Sequence, residues 1–347
     1  MLKPRIILAM PYHLGIIDII SNNLKFHGFD VISFDQMISP KPFKYPHIGH
    51  RIYKGYRKIF FNDLSYKNKL RNPDNIKYIQ DALTGWDGYT DYTLVIRPDM
   101  FTDEVLALLK SRTRCNFVGY QWDGLLRFPM VMDKIKFFDR FFVFDPKDQH
   151  MNPNLPLLST TNFCIDNFPL SSDLKCKNHQ LVAYFVGYHI ESRQIAIENM
   201  VKLLLEQDVA VNFFINGAPK STYNEFPVNK INNKIKFEDN LINVQKSDIL
   251  IDFVVNVHNG LSFRVFEALF FQKKLITNNV EIVKYDFYHP DNILVWGGQD
   301  ISELKNFIAT PYNIEVNSVA EKYFFANWIR NVLDMAPYTP IDLSHIQ

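Results

Sequence analysis

The stretch Asp248 to Phe287 reads DILIDFVVNVHNGLSFRVFEALFFQKKLITNNVEIVKYDF. Its apolar run, Ile249 to Val255, does not alternate, which is the pattern of a strand buried on both faces of a parallel sheet. A polar turn at Val257-His258-Asn259-Gly260 leads into a helical segment from about Leu261 to Gln272, and a second short strand follows at Lys274-Leu275-Ile276-Thr277. A helix returning over a sheet joins two parallel strands, so the stretch predicts one β-α-β unit and an α/β fold.

Ligands of such sheets sit beyond the carboxyl ends of the strands, where loop passes into helix. His258, Asn259, Gly260, Leu261, Ser262 and Arg264 hold that position here. A helix N-terminus presents unpaired N–H groups and partial positive charge. Gly260, with its close backbone approach, Ser262 and Arg264 therefore suit a phosphate or diphosphate. Glu267, one turn further on, is placed to accept hydrogen bonds from sugar hydroxyls. The same residues also fit an ordinary turn in which Arg264 and Glu267 are solvated or paired with each other.

The run Gly260-Leu261-Ser262-x-Arg264-x-Phe266-Glu267-Ala268-Leu269 is followed by Lys273-Lys274-Leu275-Ile276-Thr277-x-Asn279. Then come Tyr285-Asp286-Phe287-Tyr288 and Asp291-Asn292-Ile293. This linked series resembles the nucleotide-sugar half of bacterial surface-polysaccharide (lipopolysaccharide or capsule) glycosyltransferases of GT-B architecture. The resemblance covers Leu181 to Ile293 closely and Trp122 to Asp148 more loosely. It implies two Rossmann-like domains whose parallel sheets face an interdomain cleft. It also implies transfer of a sugar from a nucleotide-diphosphate donor, UDP-linked in the first instance, to a hydroxyl of a growing surface glycan or lipid-linked glycan. Two other readings stand beside it: a nucleotide-sugar epimerase of the same architecture, and a non-catalytic nucleotide-sugar-binding protein.

The 347 residues exceed a typical single core, so two domains of about 150 residues are expected. The expected division is an N-terminal domain over 1–170, a nucleotide-sugar-binding domain over 178–318, and a C-terminal helix over 319–347 crossing back to the first domain. Hydrophobic residues make up 47% and charged residues 22%, which excludes disordered and fibrous classes. A net charge of +1 argues against a globally basic nucleic-acid binder, and no nucleic-acid partner is expected. Cys115, Cys164 and Cys176 lack metal-ligand spacing, and an odd count suits a reducing compartment. The apolar run Ile6 to Met10 is too short for a signal-peptide core, and no run approaches a membrane span. A cytoplasmic enzyme able to touch the inner face of the membrane is the expectation.

Strands are predicted at Arg5–Met10, Asp30–Phe34, Tyr92–Arg97, Asn116–Gln121 and Phe141–Phe144, with helices at Gly15–Phe26 and, capped by Thr102, at Thr102–Ser111. The loop Pro11 to Gly15 lacks the three-glycine dinucleotide fingerprint, so no nicotinamide or flavin cofactor is expected. Three strand ends bring Asp99, Asp123 and Asp145 to one sheet edge. Asp123 is the first candidate for the base acting on the acceptor hydroxyl, against a turn-capping role before Gly124. His13, with an imidazole that titrates near working pH, is the second. Asp99 and Trp122 fall on the acceptor side.

Between Lys41 and Lys77 ten basic residues face only Asp63 and Asp74, interleaved with seven aromatics. Such a segment suits an anionic bilayer, where each cation near the surface contributes roughly 1 kcal/mol, or a pyrophosphate-linked lipid acceptor. A solvated insertion or stacking of single-stranded nucleic acid are the competing readings.

In the second half, strands are predicted at Leu181–Gly187, Val209–Asn216 and Ile235–Phe237, with a helix from about Ser192 to Glu206. The resemblance implies that Gly187 and Arg193 contact the donor phosphates and that the turn at Glu238 meets the nucleobase. No closely spaced carboxylate pair or His-x-x-x-His pattern appears, so metal independence is expected. Many retaining GT-B families carry two glutamates seven residues apart at this helix. Here counting from Glu267 reaches Lys274 or Gly260, which favours a ribose role for Glu267 and an inverting mechanism. One amphipathic helix is expected from Val319 to Met335.

Overall fold

The computed structural model describes residues 3–41, 43–61, 66–169, 180–254, 260–298 and 301–346. The first half contains β1 (Arg5–Ala9), α1 (Ile16–Phe26), β2 (Asp30–Phe34), α2 (Ile48–Phe61), α3 (Tyr66–Leu83), β3 (Tyr92–Ile96), α4 (Asp103–Arg112), β4 (Phe117–Gln121), β5 (Arg140–Val143), α5 (Pro146–Met151) and β6 (Leu157–Ser159). Its six strands are parallel in the order β2-β1-β3-β4-β5-β6.

The second half contains β7 (Val182–Tyr188), α6 (Glu191–Glu206), β8 (Ala210–Asn216), β9 (Val228–Ile231), α7 (Phe237–Lys246), β10 (Ile249–Asp252), α8 (Phe263–Phe270), β11 (Lys274–Thr277), β12 (Ile293–Val295), α9 (Ile301–Ala309), α10 (Asn317–Ala320) and α11 (Phe325–Leu333). Its strands are also parallel, in the order β12-β11-β10-β7-β8-β9. These are two Rossmann-like domains. In each sheet the chain runs outward to one edge and then returns past its first strand, leaving a crevice at the point of reversal.

The central strands are the continuous apolar runs of the sequence. Ile6 to Ala9 and Ile249 to Ile251 are all buried, as a strand covered on both faces requires. Tyr184, Leu250 and Leu275 stand side by side in register across the second sheet. One buried apolar cluster runs through both domains, joining Leu8, Tyr120 and Phe144 to Leu250, Phe266 and Trp328.

Several elements differ from the sequence reading. Ile235–Phe237 is not a strand followed by a turn; α7 begins at Phe237, so Glu238 and Asn240 are helical. Three residues, Ile-Lys-Phe, are too few to separate the two periodicities. The sheet-edge strands β6 and β9 escape notice because they are short, and β9 reads Val-Asn-Lys-Ile with two exposed polar residues. The expected single helix from Val319 to Met335 is broken at Phe324, whose backbone is extended. There the chain pairs with Cys164: Cys164 N–H donates to the Tyr323 carbonyl and Phe325 N–H to the Cys164 carbonyl.

Beyond this break α11 lies against the first domain. The Trp328 indole donates to the Thr161 carbonyl at 2.9 Å, and Arg140 donates to the carbonyls of Asn331 and Val332. The two domains also touch at Gly260, where a side chain would run into the ring of Phe144. Asn162 donates to the carbonyl of the next residue, Leu261, at 2.9 Å. The close backbone approach at Gly260 is thus made to a phenylalanine of the opposite domain. Gly260→Ala is expected to lower stability by about 1–3 kcal/mol, since Phe144 sits in a filled core and has little room to yield; a denaturant titration measures it.

Candidate functional site

The turn after β10 and the first turn of α8 form the floor of the site. Asp252 ends β10 with 3% exposure, and a carboxylate at that depth needs donors. Ser262 Oγ donates to its Oδ1 at 2.9 Å, Arg264 Nη1 approaches the same oxygen at 3.4 Å, and Thr277 Oγ1 reaches Oδ2 at 3.4 Å. Ser262 stands at the start of α8, but its hydroxyl is turned to Asp252 and leaves the helix uncapped.

Arg264 is anchored by a second bond, from Nη2 to the Val186 carbonyl at 2.7 Å. Arg193 spends its guanidinium in the same way, donating to the carbonyls of Phe253 at 2.9 Å and Tyr188 at 2.7 Å. Both guanidinium groups lie over the ring of Phe185. Burial lowers the pKa of Arg193, and the nearby Arg264 charge lowers it further. Each arginine keeps a buried Nε without a hydrogen-bond partner among the described residues, and so does Asn216 at its Nδ2. Two crowded cations and three idle donors favour an anion.

A cavity of about 320 Å³ opens above this floor. Gly187 and Tyr188 at the end of β7, Asn216 at the end of β8, and Ser262, Arg264 and Glu267 of the α8 turn line it. Apolar Ile231, Ile235 and Phe237 line it too, and Leu14 contributes from the first domain. It therefore occupies the reversal point of the second sheet and faces the first. At Gly187 a side chain would collide with the Phe185 ring, so glycine keeps this wall flat.

Glu267 is 4% exposed. Asn240 Nδ2 donates to it at 2.9 Å, and Tyr184 OH donates in turn to Asn240 Oδ1 at 3.0 Å. Burial raises its pKa from the ordinary 4.5 to about 7, opposed by the charge of Arg264 and the Asn240 bond.

Across the cleft, Arg97 opens the turn after β3 in a left-handed conformation with φ 59°. It grips both oxygens of Asp99 at 2.7 Å and donates to Asp123 Oδ2 at 2.7 Å, while Arg127 reaches Asp123 Oδ1 at 3.3 Å. His13 lies within the field of this cluster. Its pKa is lowered by burial first, then by Lys234 and Arg97, with Asp123 opposing. That direction favours the neutral imidazole.

The remaining sequence candidates fall elsewhere. Leu261 is buried in the interdomain core. Glu238 is exposed and borders a separate hollow with Tyr12, Asp18 and Lys236. Trp122 packs edge-on against Phe263 across the domain boundary. His258 and Asn259 lie outside the described residues. Sequence reasoning passed over Asp252, Asn216, Lys234 and Arg97, and it put Asn240 in the nucleobase turn rather than beside Glu267. An Asp closing a buried apolar strand was the available signal for Asp252; the others come together only in the fold.

Solved structures share this architecture over nearly the whole chain. The lipopolysaccharide outer core galactosyltransferase WaaB is 12% identical, over 95% of this chain and 99% of its own, with a TM-score of 0.54. The fold is GT-B. MnaA of S. aureus, solved with UDP, is 12% identical over 97% of this chain and 99% of its own, at a TM-score of 0.51. A protein described as a UDP-N-acetylglucosamine 2-epimerase of Listeria monocytogenes is 10% identical over 98% and 100%, at 0.53. No protein-family model and no curated protein sequence matches the chain.

Because the folded pKa of Glu267 lies above its unfolded value, the folded state holds this proton more tightly. That stabilisation is complete below about 4.5 and is lost as pH rises through about 7. Thermal melts across this window should show wild type losing stability relative to Glu267→Gln as pH increases; parallel curves would remove the buried-acid assignment.

Proposed function

We propose that the chain is a glycosyltransferase that moves a sugar from a nucleotide-diphosphate donor, with UDP the first choice, to a hydroxyl of a bacterial surface glycan or its lipid-linked precursor. The cavity at the reversal point of the second sheet carries this reading: Arg264, Asn216 and Ser262 line it together with apolar Ile231, Ile235 and Phe237. That pairing suits a diphosphate joined to a flat base. Arg264 and the N–H groups opening α8 would hold the diphosphate, with Arg193 adding charge from behind. Glu267 would accept from the ribose hydroxyls.

The acceptor oxygen bonds to the anomeric carbon as that carbon releases the diphosphate oxygen, and the electron pair leaves with the nucleotide. Inversion follows from a single displacement of this kind, and the arginines answer the growing charge, so the transfer is proposed to need no metal. The acceptor proton passes to a base of the first domain. We assign that role to His13, because both oxygens of Asp123 are already engaged by arginines. Asp123 and Asp99 would then keep Arg97 in its place at the acceptor side. Lys274, seven residues after Glu267, donates to the carbonyls of Asp291 and Phe307 inside the second domain and takes no part in the cavity.

The fold is shared with UDP-N-acetylglucosamine 2-epimerases at the same level of likeness, so epimerisation is the second reading. It would show as interconversion of the donor sugar with no acceptor present.

Calorimetry with UDP, GDP, CMP and dTDP in a chelator tests the donor site. One nucleotide should bind, and Arg264→Ala should weaken it by about 1.5–3 kcal/mol. Since that substitution also strips Asp252 of its cation, Asn216→Ala is the companion variant, expected to cost about 1 kcal/mol of affinity on an intact fold. No binding by any nucleotide would end the proposal. With the donor identified, His13→Ala should cut kcat by roughly 10²–10⁴-fold while donor affinity holds. In wild type, kcat/KM should stay level through neutral pH and fall only on acidification below the ordinary histidine value of 6.5.

A further inference from the structure

The helix α2 is unlike every other long helix of the chain. None of its described side chains is buried. Ile48, Ile52, Ile59 and Phe60 are 70%, 69%, 76% and 68% exposed, a cost that a folded protein ordinarily avoids by turning such residues inward. At about 100° per residue, Ile48, Ile52 and Ile59 fall within about 40° of arc, with Phe60 about 80° further round on the side away from the cations. Arg51, Lys54 and Lys58 form a second stripe, about 60° wide, beside the first. The helix holds no acidic residue.

The face that α2 uses within the protein is a third one. His50 is hydrogen-bonded to Tyr66 OH at 2.6 Å, Tyr53 meets the Tyr66 ring edge-on at 5.0 Å, and Arg57 lies over both rings. These contacts tie α2 to α3 and turn the isoleucine stripe outward. The apolar stripe is thus built into the helix and left uncovered by design of its packing.

We propose that α2 is an in-plane membrane anchor. Ile48, Ile52, Ile59 and Phe60 enter the boundary between headgroups and acyl chains, and Arg51, Lys54 and Lys58 bind anionic headgroups beside them. Charge complementarity selects this occupant over a second copy of the chain: two α2 helices laid face to face would bring their cationic stripes together, whereas an anionic bilayer neutralises them. The inference narrows the cationic, aromatic region between 41 and 77 to one face of one helix. It follows β2, the edge strand of the first sheet. The anchor stands independently of what the cavity binds.

Sedimentation of the full chain with phosphatidylcholine vesicles, with and without phosphatidylglycerol, tests it. The expected result is binding to the anionic vesicles, weakened by salt, and reduced at least roughly tenfold both by Ile52→Glu with Ile59→Glu and by Lys54→Ala with Lys58→Ala. The melting temperature of the double glutamate variant should match wild type, since both side chains are already in solvent. Absence of vesicle binding, or binding that the glutamates leave unchanged, overturns the anchor. So does a wild-type dimer in light scattering that the same variant converts to monomer, which would make the stripe a self-association surface. Nucleotide binding, measured without vesicles, is unaffected by any of these outcomes, so failure of the anchor and failure of the donor site are read separately.

Discussion

The site depends on a carboxylate in the wrong place. Asp252 ends a strand inside the second domain, where an ion without partners would cost several kcal/mol. Ser262, Arg264 and Thr277 answer it from three directions, and in doing so they fasten the start of α8 to the ends of β10 and β11. The arginine, which lines the cavity, is thereby fixed in place. An arginine free in solvent would have to be ordered by its ligand, whereas this one has its orientation set in advance.

The two domains bring different chemistry to the cleft. The second supplies crowded positive charge and a buried acid whose pKa has been lifted to about 7. The first supplies an imidazole shifted towards its neutral form and a guanidinium locked between two aspartates. What brings the two domains together is apolar contact: Phe144 against Gly260, Trp122 against Phe263, and the continuous cluster behind both.

Buried parallel strands wrote themselves plainly into the sequence, because burial on both faces leaves unbroken apolar runs such as Ile6 to Ala9 and Ile249 to Ile251. The crevice could be placed from those runs, since loops after parallel strands converge there, and Gly187, Ser262, Arg264 and Glu267 do line one cavity. Partners could not. Asn240 meets Glu267 only because α7 replaces the expected turn, and Arg97 joins Asp99 to Asp123 across 26 residues of chain. Gly260 was read as room for a ligand, but the room is filled by Phe144. A glycine announces close approach without saying to what.

The break at Phe324 separates order along the chain from order in space. The first domain's sheet ends at β6, yet the indole that bonds its Thr161 carbonyl arrives with Trp328, 167 residues later. In the folded chain that ring packs against Tyr120 and Phe163. A chain emerging from the ribosome must therefore build its first sheet, then the whole second domain, before α11 can close the first. Contacts of such long sequence separation form late and carry a large loop-closure entropy. The domain made first is the one finished last, and cutting the chain between the domains would give one half with a missing wall and another with a stray helix.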